Sequence, residues 1–366
     1  ILTLMGFGTE AQKAAHIPSL VSGETLATMC LTEPGAGSDL SQIRCRARQD
    51  GESWRITGEK IFISGGDQDM SERILHLVLA RTSDDGIRGL SLFLCPCTRA
   101  DGRRNAVSVT RIEEKMGLHA SPTCQLAFDG AGAELIGDAG RGLEAMFTMM
   151  NHARADVALQ GVAHAARATD IARSYAAERV QGRGPDRLPV TLDQHADVRR
   201  MLDEMDALAL GGRAIAHLAT VAMERGESDD LVEILTPIAK AHCTEAGVRA
   251  AELGMQVLGG YGYLQEYRVE QCYRDARITA IYEGANGIHE RMLATRLLPG
   301  PAGDAFEQFL LAEPQNSHND GCTASVKLWQ TARQALLNRP DPTPAAHAFL
   351  ALSAETLLQA LWQRML

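Results

Sequence analysis

The 366-residue chain predicts an α+β fold, with a central β-barrel or sandwich followed by an α-helical bundle. Between residues 42 and 130, apolar residues alternate in short runs punctuated by glycine, the period of half-buried strands. From residue 141 onward the apolar period lengthens to that of helices, over stretches too long for strands. Glycine is abundant, at 34 residues, as expected of many tight turns or of backbone that faces a ligand. The expected organisation is a helical stretch over 1–30, a β domain over 31–135, a bundle over 141–298 and a further helical region over 299–366.

The elements follow in order. Residues 1–30 read as helical, with Thr9 as a cap and with Pro18 and Gly23 as interruptions. Pro34 and two neighbouring glycines make the segment Leu31 to Asp39 a loop. Short strands are expected at 43–48, 54–57, 60–64, 76–80, 90–94, 107–110 and 124–128, with Gly51 and Gly58 as turns. A helix over 141–182 carries a stripe of Met146, Met149, Met150, Val157, Gly161 and Ala165. Its small residues would let a neighbouring helix approach closely. Residues 183–192 read as a loop. Asp193 is expected to cap a helix to about Glu224, with Val198, Leu202, Met205, Ala209, Gly212 and Ile215 facing inward. After a polar link at Glu227 to Asp230 a helical stretch begins at Leu231. Thr236-Pro237 reads as cap and first-turn proline of another helix, to about Leu258. A last bundle helix is expected over 286–298. Beyond it, Gly300 to Gly303 is expected to break the chain, with helices at 306–311, 326–337 and 345–361, a loop at Asn316 to Gly321 and a hinge at Arg339 to Pro344.

The most informative stretch runs from Glu252 to Leu298. It contains Gly259-Gly260, then Ile281-Tyr282-Glu283-Gly284. Glycines on both sides of a carboxylate-bearing turn let backbone approach a flat ligand. Behind Ile281 and Tyr282, Glu283 could sit in an apolar setting that raises its pKa towards that of a working base. From local pattern alone the simpler reading is that it begins a helix, where carboxylates are favoured. Phe62 could pack a core and Ser64 could end a strand. The methionine stripe reads as adaptable core rather than a cofactor box, and Arg179 as a solvated residue at a helix end.

Composition narrows the function classes. A net charge of -10 speaks against a general nucleic-acid surface, which needs a basic footprint. The eight cysteines are scattered; Cys95 and Cys97 form the one close pair, without a second pair at zinc spacing. Reduced thiols in a cytoplasmic setting are expected. No apolar run reaches 18 residues, so no membrane span is expected, and no signal-peptide pattern is present. The chain opens on Ile1, in what reads as the middle of a domain.

Several motifs, in order, resemble those of the acyl-CoA dehydrogenases. They are Gly8-Thr9-Glu10-x-Gln12-Lys13, Thr32-Glu33-Pro34-Gly35-Ala36-Gly37-Ser38-Asp39, Phe62-Ile63-Ser64-Gly65-Gly66, Asn151-x-x-Arg154, Gly259-Gly260-Tyr261-Gly262, Arg274-Asp275 and Ile281-Tyr282-Glu283-Gly284. The resemblance spans roughly residues 5–298. It implies FAD as cofactor, with Thr32, Phe62, Ser64, Arg179, Gln256, Gly260 and Gly284 as its contacts. Arg179 would reach the flavin diphosphate of a neighbouring subunit, which implies a homodimer or homotetramer. Ser38, Arg154 and Asn151 would contact the acyl-CoA, Asn151 standing where an acid is usual. Glu283 would be the base that takes the α proton, its backbone amide and a flavin ribityl hydroxyl holding the thioester oxygen.

The implied reaction converts an acyl-CoA to a trans-2-enoyl-CoA and passes electrons to electron-transfer flavoprotein or a similar acceptor. Phrases such as Glu113-x-Lys115-Met116-Gly117 and Ala145 to Asn151 are most similar to the 3-(methylthio)propanoyl-CoA dehydrogenase branch. Two departures stand out: Ala285 where the family often has a threonine, and His289 where it often has a glutamine. The family's N-terminal helical domain is expected to be missing, with 1–30 as its remnant. Two rivals follow: a relative tied to DNA damage or nitroalkanes, and a non-enzymatic or impaired scaffold. Nitroalkane relatives use an aspartate where Glu283 stands.

Overall fold

In a computed structural model, residues 1–226, 228–312 and 320–365 are described. They divide into two compact units, Ile1–His152 and Ala153–Leu366.

The first unit begins with helices α1 (Leu2–Phe7) and α2 (Glu10–Ser22). Thr9 and Gln12 form the capping box of α2. Pro18 does not interrupt this helix; it lies inside it. The carbonyl left without its helical donor belongs to exposed Ala14, so water can satisfy it. Gly23 does end the helix, at φ 82°.

Seven strands follow: β1 (Thr25–Cys30), β2 (Arg46–Asp50), β3 (Ser53–Ser64), β4 (Arg73–Arg81), β5 (Leu90–Pro96), β6 (Val107–Ile112) and β7 (Thr123–Ile136). The helical expectation for 25–30 therefore gives way to strand: Thr25 to Cys30 pairs in parallel with Arg73 to Val78. The pairings β4–β2, β2–β3, β3–β7, β7–β5 and β5–β4 close a ring, with β1 and β6 flanking it. Of the two expected architectures this is the barrel, which removes the exposed edges a sandwich would leave.

The barrel takes its filling from alternate residues. Val78, Ala80, Phe93, Cys95, Cys124 and Leu126 form one buried cluster. Leu75, Leu77, Leu79, Leu90, Leu92 and Leu94 form another with Leu4, Ala145, Met146 and Met150. Both faces of β4 and β5 are thus covered, and period 2 sorts one strand between two cores.

Gly58 is not a turn. β3 runs through it as one strand, with register shifts at Ile56/Thr57 and Lys60/Ile63. A Cβ at Gly58 would lie 2.8 Å from Cys45 Cα, so glycine here permits a close strand approach.

The second unit is helical. Helix α3 (Gly142–Glu178) leads into it, followed by α4 (Ala196–Arg225), α5 (Asp229–Leu258), α6 (Val269–Ala276) and α7 (Asn286–Met292). The helices α8 (Pro301–Ala312), α9 (Asp320–Leu337) and α10 (Ala346–Met365) complete it. The helix expected to reach 182 ends at Glu178, and the end of that segment, with part of the expected 183–192 loop, forms a hairpin of β8 (Val180–Arg183) and β9 (Pro189–Thr191). Asp193 does not cap α4; it accepts the Thr191 hydroxyl at 2.5 Å, and the N-cap is His195.

Thr236-Pro237 does not start a helix either. α5 is continuous through Pro237, and the Thr236 hydroxyl donates to the Val232 carbonyl at 2.8 Å. Proline removes one ladder bond, while Ile234, Leu235, Ile238 and Ala239 beside it are all buried in one core. That burial outweighs a local cost of about 3 kcal/mol.

The last bundle helix is shorter than expected, and residues 293–297 wind as a π turn. Gly303 lies within α8 rather than breaking the chain, and a glycine stands there because Leu298 O and Arg333 approach too closely for a side chain. Trp329, fully buried, donates Nε1 to Ser353 Oγ at 2.9 Å. Through Phe306, Trp329, Phe349 and Leu357, helices α8 to α10 share one core with α4 and α5. Glu227 and residues 313–319 lie outside the described residues, so the start of the expected acidic link and most of the expected 316–321 loop do too.

Candidate active site

The loop between α6 and α7 carries the chemistry of the second unit. Glu283 has φ 54° and Gly284 φ 86°, two consecutive left-handed residues. For the glutamate this costs about 1–2 kcal/mol, so the surroundings must impose it. They do so through two buried side chains. His289, on α7, places Nε2 3.2 Å from the Glu283 carbonyl. Lys240, on α5, donates Nζ to the Gly284 carbonyl at 2.8 Å and to Asn286 Oδ1 at 3.0 Å. For His289 to donate, its proton must sit on Nε2; burial holds the ring neutral, with a pKa down to about 3.

Glu283 is not a first-turn helix carboxylate. α7 starts at Asn286, three residues past Glu283, with Ala285 as N-cap. Its Oε2 is buried and has no hydrogen-bond partner. Burial pushes the carboxyl above its ordinary range, against the opposing charges of Arg154 and Lys240. Arg154 is buried at 9% exposure, an unusual place for an arginine unless a carboxylate is near. Next to Glu283, the Tyr282 hydroxyl is hydrogen-bonded to Gln160. A desolvated carboxylate with one unpartnered oxygen, steadied by two cations, is what a proton acceptor needs.

A second group of expected residues lies around the C-terminal end of α5. Gln256 and Gly260 are exposed there, and the Gly259 N–H donates to the Gln256 carbonyl. The Arg179 guanidinium lies 6.0 Å from the centroid of the Tyr261 ring, within an aromatic cluster of Tyr175, Tyr261 and Tyr267. Arg179 is itself exposed.

In the first unit, Thr32 and the Phe62 strand are brought together. The Ile61 N–H donates to Thr32 O at 2.9 Å. Lys60, fully buried, donates to Leu31 O at 2.9 Å and to Glu33 Oε1 at 2.8 Å. The Glu33 carboxylate also accepts the Arg44 and Cys45 amides at 2.7 and 3.0 Å. Every partner of this buried pair is on the Thr32 loop or its neighbours, which holds that loop in place. Phe62 has φ 59° and is 61% exposed. It is therefore not the core residue its strand position allows: the bulge between Lys60 and Ile63 turns it outward. Ser64 is exposed at the end of β3, paired with Thr123. Ser38 is exposed in the turn before Leu40, and Asn151 is exposed on α3.

Two family models match this chain: the acyl-CoA dehydrogenase middle domain over residues 28–131 and the C-terminal domain over 140–298. It is 43% identical over 350 residues to the 3-methylmercaptopropionyl-CoA dehydrogenase of Ruegeria pomeroyi, covering 90% of this chain and 60% of that one. To an acyl-CoA dehydrogenase of Bacillus subtilis it is 34% identical, covering 81% of this chain and 75% of that protein. The chain belongs to the acyl-CoA dehydrogenase family. The solved butyryl-CoA dehydrogenase of Megasphaera elsdenii superposes with a TM-score of 0.71 at 29% identity, over 78% of this chain and 72% of that one. The chain spans about half to three-fifths of the length of several curated relatives it matches.

Sequence reasoning missed Lys240, Asn286 and the Lys60–Glu33 pair as site elements of this acyl-CoA dehydrogenase family member, and noted His289 only as a departure. A signal for Lys240 was present: it stands in the apolar run Ile238-Ala239-Lys240-Ala241, where a lysine needs a reason to be buried. Among the described residues no helix is long and apolar enough to cross a membrane.

Proposed function

We propose that the chain catalyses FAD-dependent α,β-dehydrogenation of an acyl-CoA thioester, with 3-(methylthio)propanoyl-CoA as preferred substrate. The observation that carries this is the Glu283 loop: a buried, unpartnered carboxylate oxygen with a raised pKa on a strained, doubly held turn. The substrate preference rests on the likeness to the Ruegeria protein, whose name describes that thioester.

The residues present suit FAD. Phe62 offers an open aromatic face on backbone that holds it outward, with the Ser64 hydroxyl nearby on the same strand. Thr32 is fixed beside that strand, and Arg179 leaves its guanidinium exposed for a diphosphate. Gln256, Gly260 and Gly284 complete the proposed set. FAD, when bound, supplies the acceptor for the hydrogen and electron pair that leave the β-carbon.

The protein's share is positioning and proton transfer. Arg154, with Ser38 and Asn151, is assigned to the acyl-CoA. The Glu283 amide donates to the thioester carbonyl, whose oxygen gains charge as the α C–H bond weakens. The Glu283 carboxylate takes the α proton, and the product is a trans-2-enoyl-CoA. An electron-transfer flavoprotein or similar acceptor is the proposed redox partner, and a homodimer or homotetramer the proposed assembly. Anaerobic mixing of FAD-loaded protein with a series of acyl-CoAs tests the reading. Fastest bleaching of the flavin band by the methylthio thioester is expected. Equal rates across the series would remove the substrate preference, and no bleaching with any thioester would remove the activity.

A further inference from the structure

We infer that Lys240 is a positioning residue for the Glu283 base: it clamps the turn that presents the carboxylate and, by its charge, keeps that carboxylate ionised. The inference rests on Glu283 being the base.

Lys240 has no exposed surface and lies on α5 among buried Ile238, Ala239, Ala241 and Cys243. Its ammonium hydrogen bonds run to the Glu283 loop at Gly284 O and to the start of α7 at Asn286 Oδ1. A buried lysine that bonds a carbonyl and an amide, rather than a carboxylate, keeps most of its field for the surroundings. Asn286 is itself locked, its Nδ2 donating to Glu245 Oε1 at 3.0 Å and to Thr244 Oγ1 at 3.2 Å. Its Oδ1 therefore stays turned to the ammonium. The backbone of both left-handed residues faces His289, and Gly284 O is also held by Lys240. Lys240 is thus one of the restraints that keep the turn from relaxing.

Among the described residues, the charges that act on Glu283 are those of Arg154 and Lys240. Arg154 faces it from α3, Lys240 from α5, neutral His289 from α7 and the Tyr282 hydroxyl from its own loop. Arg296 adds to the positive field felt by Arg154, and Glu245 opposes that of Lys240. Burial of Lys240 draws its own pKa down to about 8, so it is largely charged at neutral pH.

A merely structural tie between α5 and α7 would give lower stability and slower turnover without moving the titration of Glu283. The two cases separate in Lys240→Gln, which keeps a donor and loses the charge, and Lys240→Met, which loses both. The readouts are the Glu283 carboxyl titration, taken from infrared spectra by subtraction of Glu283→Gln, and the acid midpoint of flavin bleaching in FAD-loaded protein. Both midpoints should move up by roughly one pH unit in Lys240→Gln, the direction expected when a nearby opposite charge is removed. Lys240→Met should add a fall in the bleaching rate at high pH. Unmoved midpoints in a folded Lys240→Gln protein would overturn the inference. If instead Glu283→Gln bleaches like wild type, the base assignment itself fails, whatever Lys240 does.

Discussion

At Gly284 an added methyl group would meet His289 Nε2 at 3.0 Å, on backbone at φ 86°. Gly284→Ala should therefore lower stability by roughly 1–2 kcal/mol. It should slow any reaction that depends on the Glu283 loop by more than that loss explains, because the ring it displaces holds the Glu283 carbonyl. Thermal melts and bleaching rates of the same preparation check this; an unchanged melting point would mean the loop is not strained there. At this scale the sequence named candidates where a motif stood, at Glu283, Gly284 and Thr32. It was silent on what holds the motif in place. Lys240 lies 43 residues before Glu283 (283 − 240), on another helix, and only tertiary packing joins them. Phe62 was legible as a site candidate, but its outward turn depends on a strand bulge whose register no local pattern reveals.

Between elements, close approach of backbones decides most of what the sequence could not. A Cβ at Gly161 would lie 2.2 Å from Cys243 O, and one at Gly247 would lie 2.7 Å from Gly161 O. These two glycines set the crossing of α3 and α5, as the small-residue stripe suggested. Gly161→Ala must push the helices apart, and a loss of about 1–3 kcal/mol is expected, read as a lower denaturant midpoint. No change would show that the crossing can slip. Glycine and proline were misjudged in the other direction. Gly58, Pro18, Pro237 and Gly303 were taken as breaks, yet each lies within a continuous element. Local propensity favours a break at such residues, but the burial on both sides of Pro237, or the strand contact at Gly58, outweighs it. The closure of the barrel was legible only as a choice between two β architectures, since the β4–β5 and β2–β4 pairings bring together strands that the sequence alone cannot match.

For the molecule as a whole, two buried imidazoles predict sensitivity to acid. His76 lies inside the barrel, with Thr28 Oγ1 at 2.6 Å and Cys97 Sγ at 2.9 Å, and burial lowers its pKa to about 4. His289 is lowered to about 3. Both fall below the ordinary 6.5, so the unfolded chain binds protons more readily between those values. Their contribution is complete above about pH 6.5 and is lost as pH falls towards 4 and 3, on the order of a few kcal/mol in all. The wild-type melting temperature should drop steeply over that window. His289→Gln, which can still donate to the Glu283 carbonyl, should flatten part of the drop; an identical slope would contradict the neutral-histidine assignment.

The central claim is that one carboxylate, shielded and steadied within the second unit, removes a proton from the substrate. Anaerobic mixing of FAD-loaded Glu283→Gln with the best thioester tests it most directly. The account expects the variant to keep its flavin colour and melting temperature while bleaching falls by at least about a hundredfold, the lower end for loss of a general base. Bleaching at the wild-type rate would contradict it.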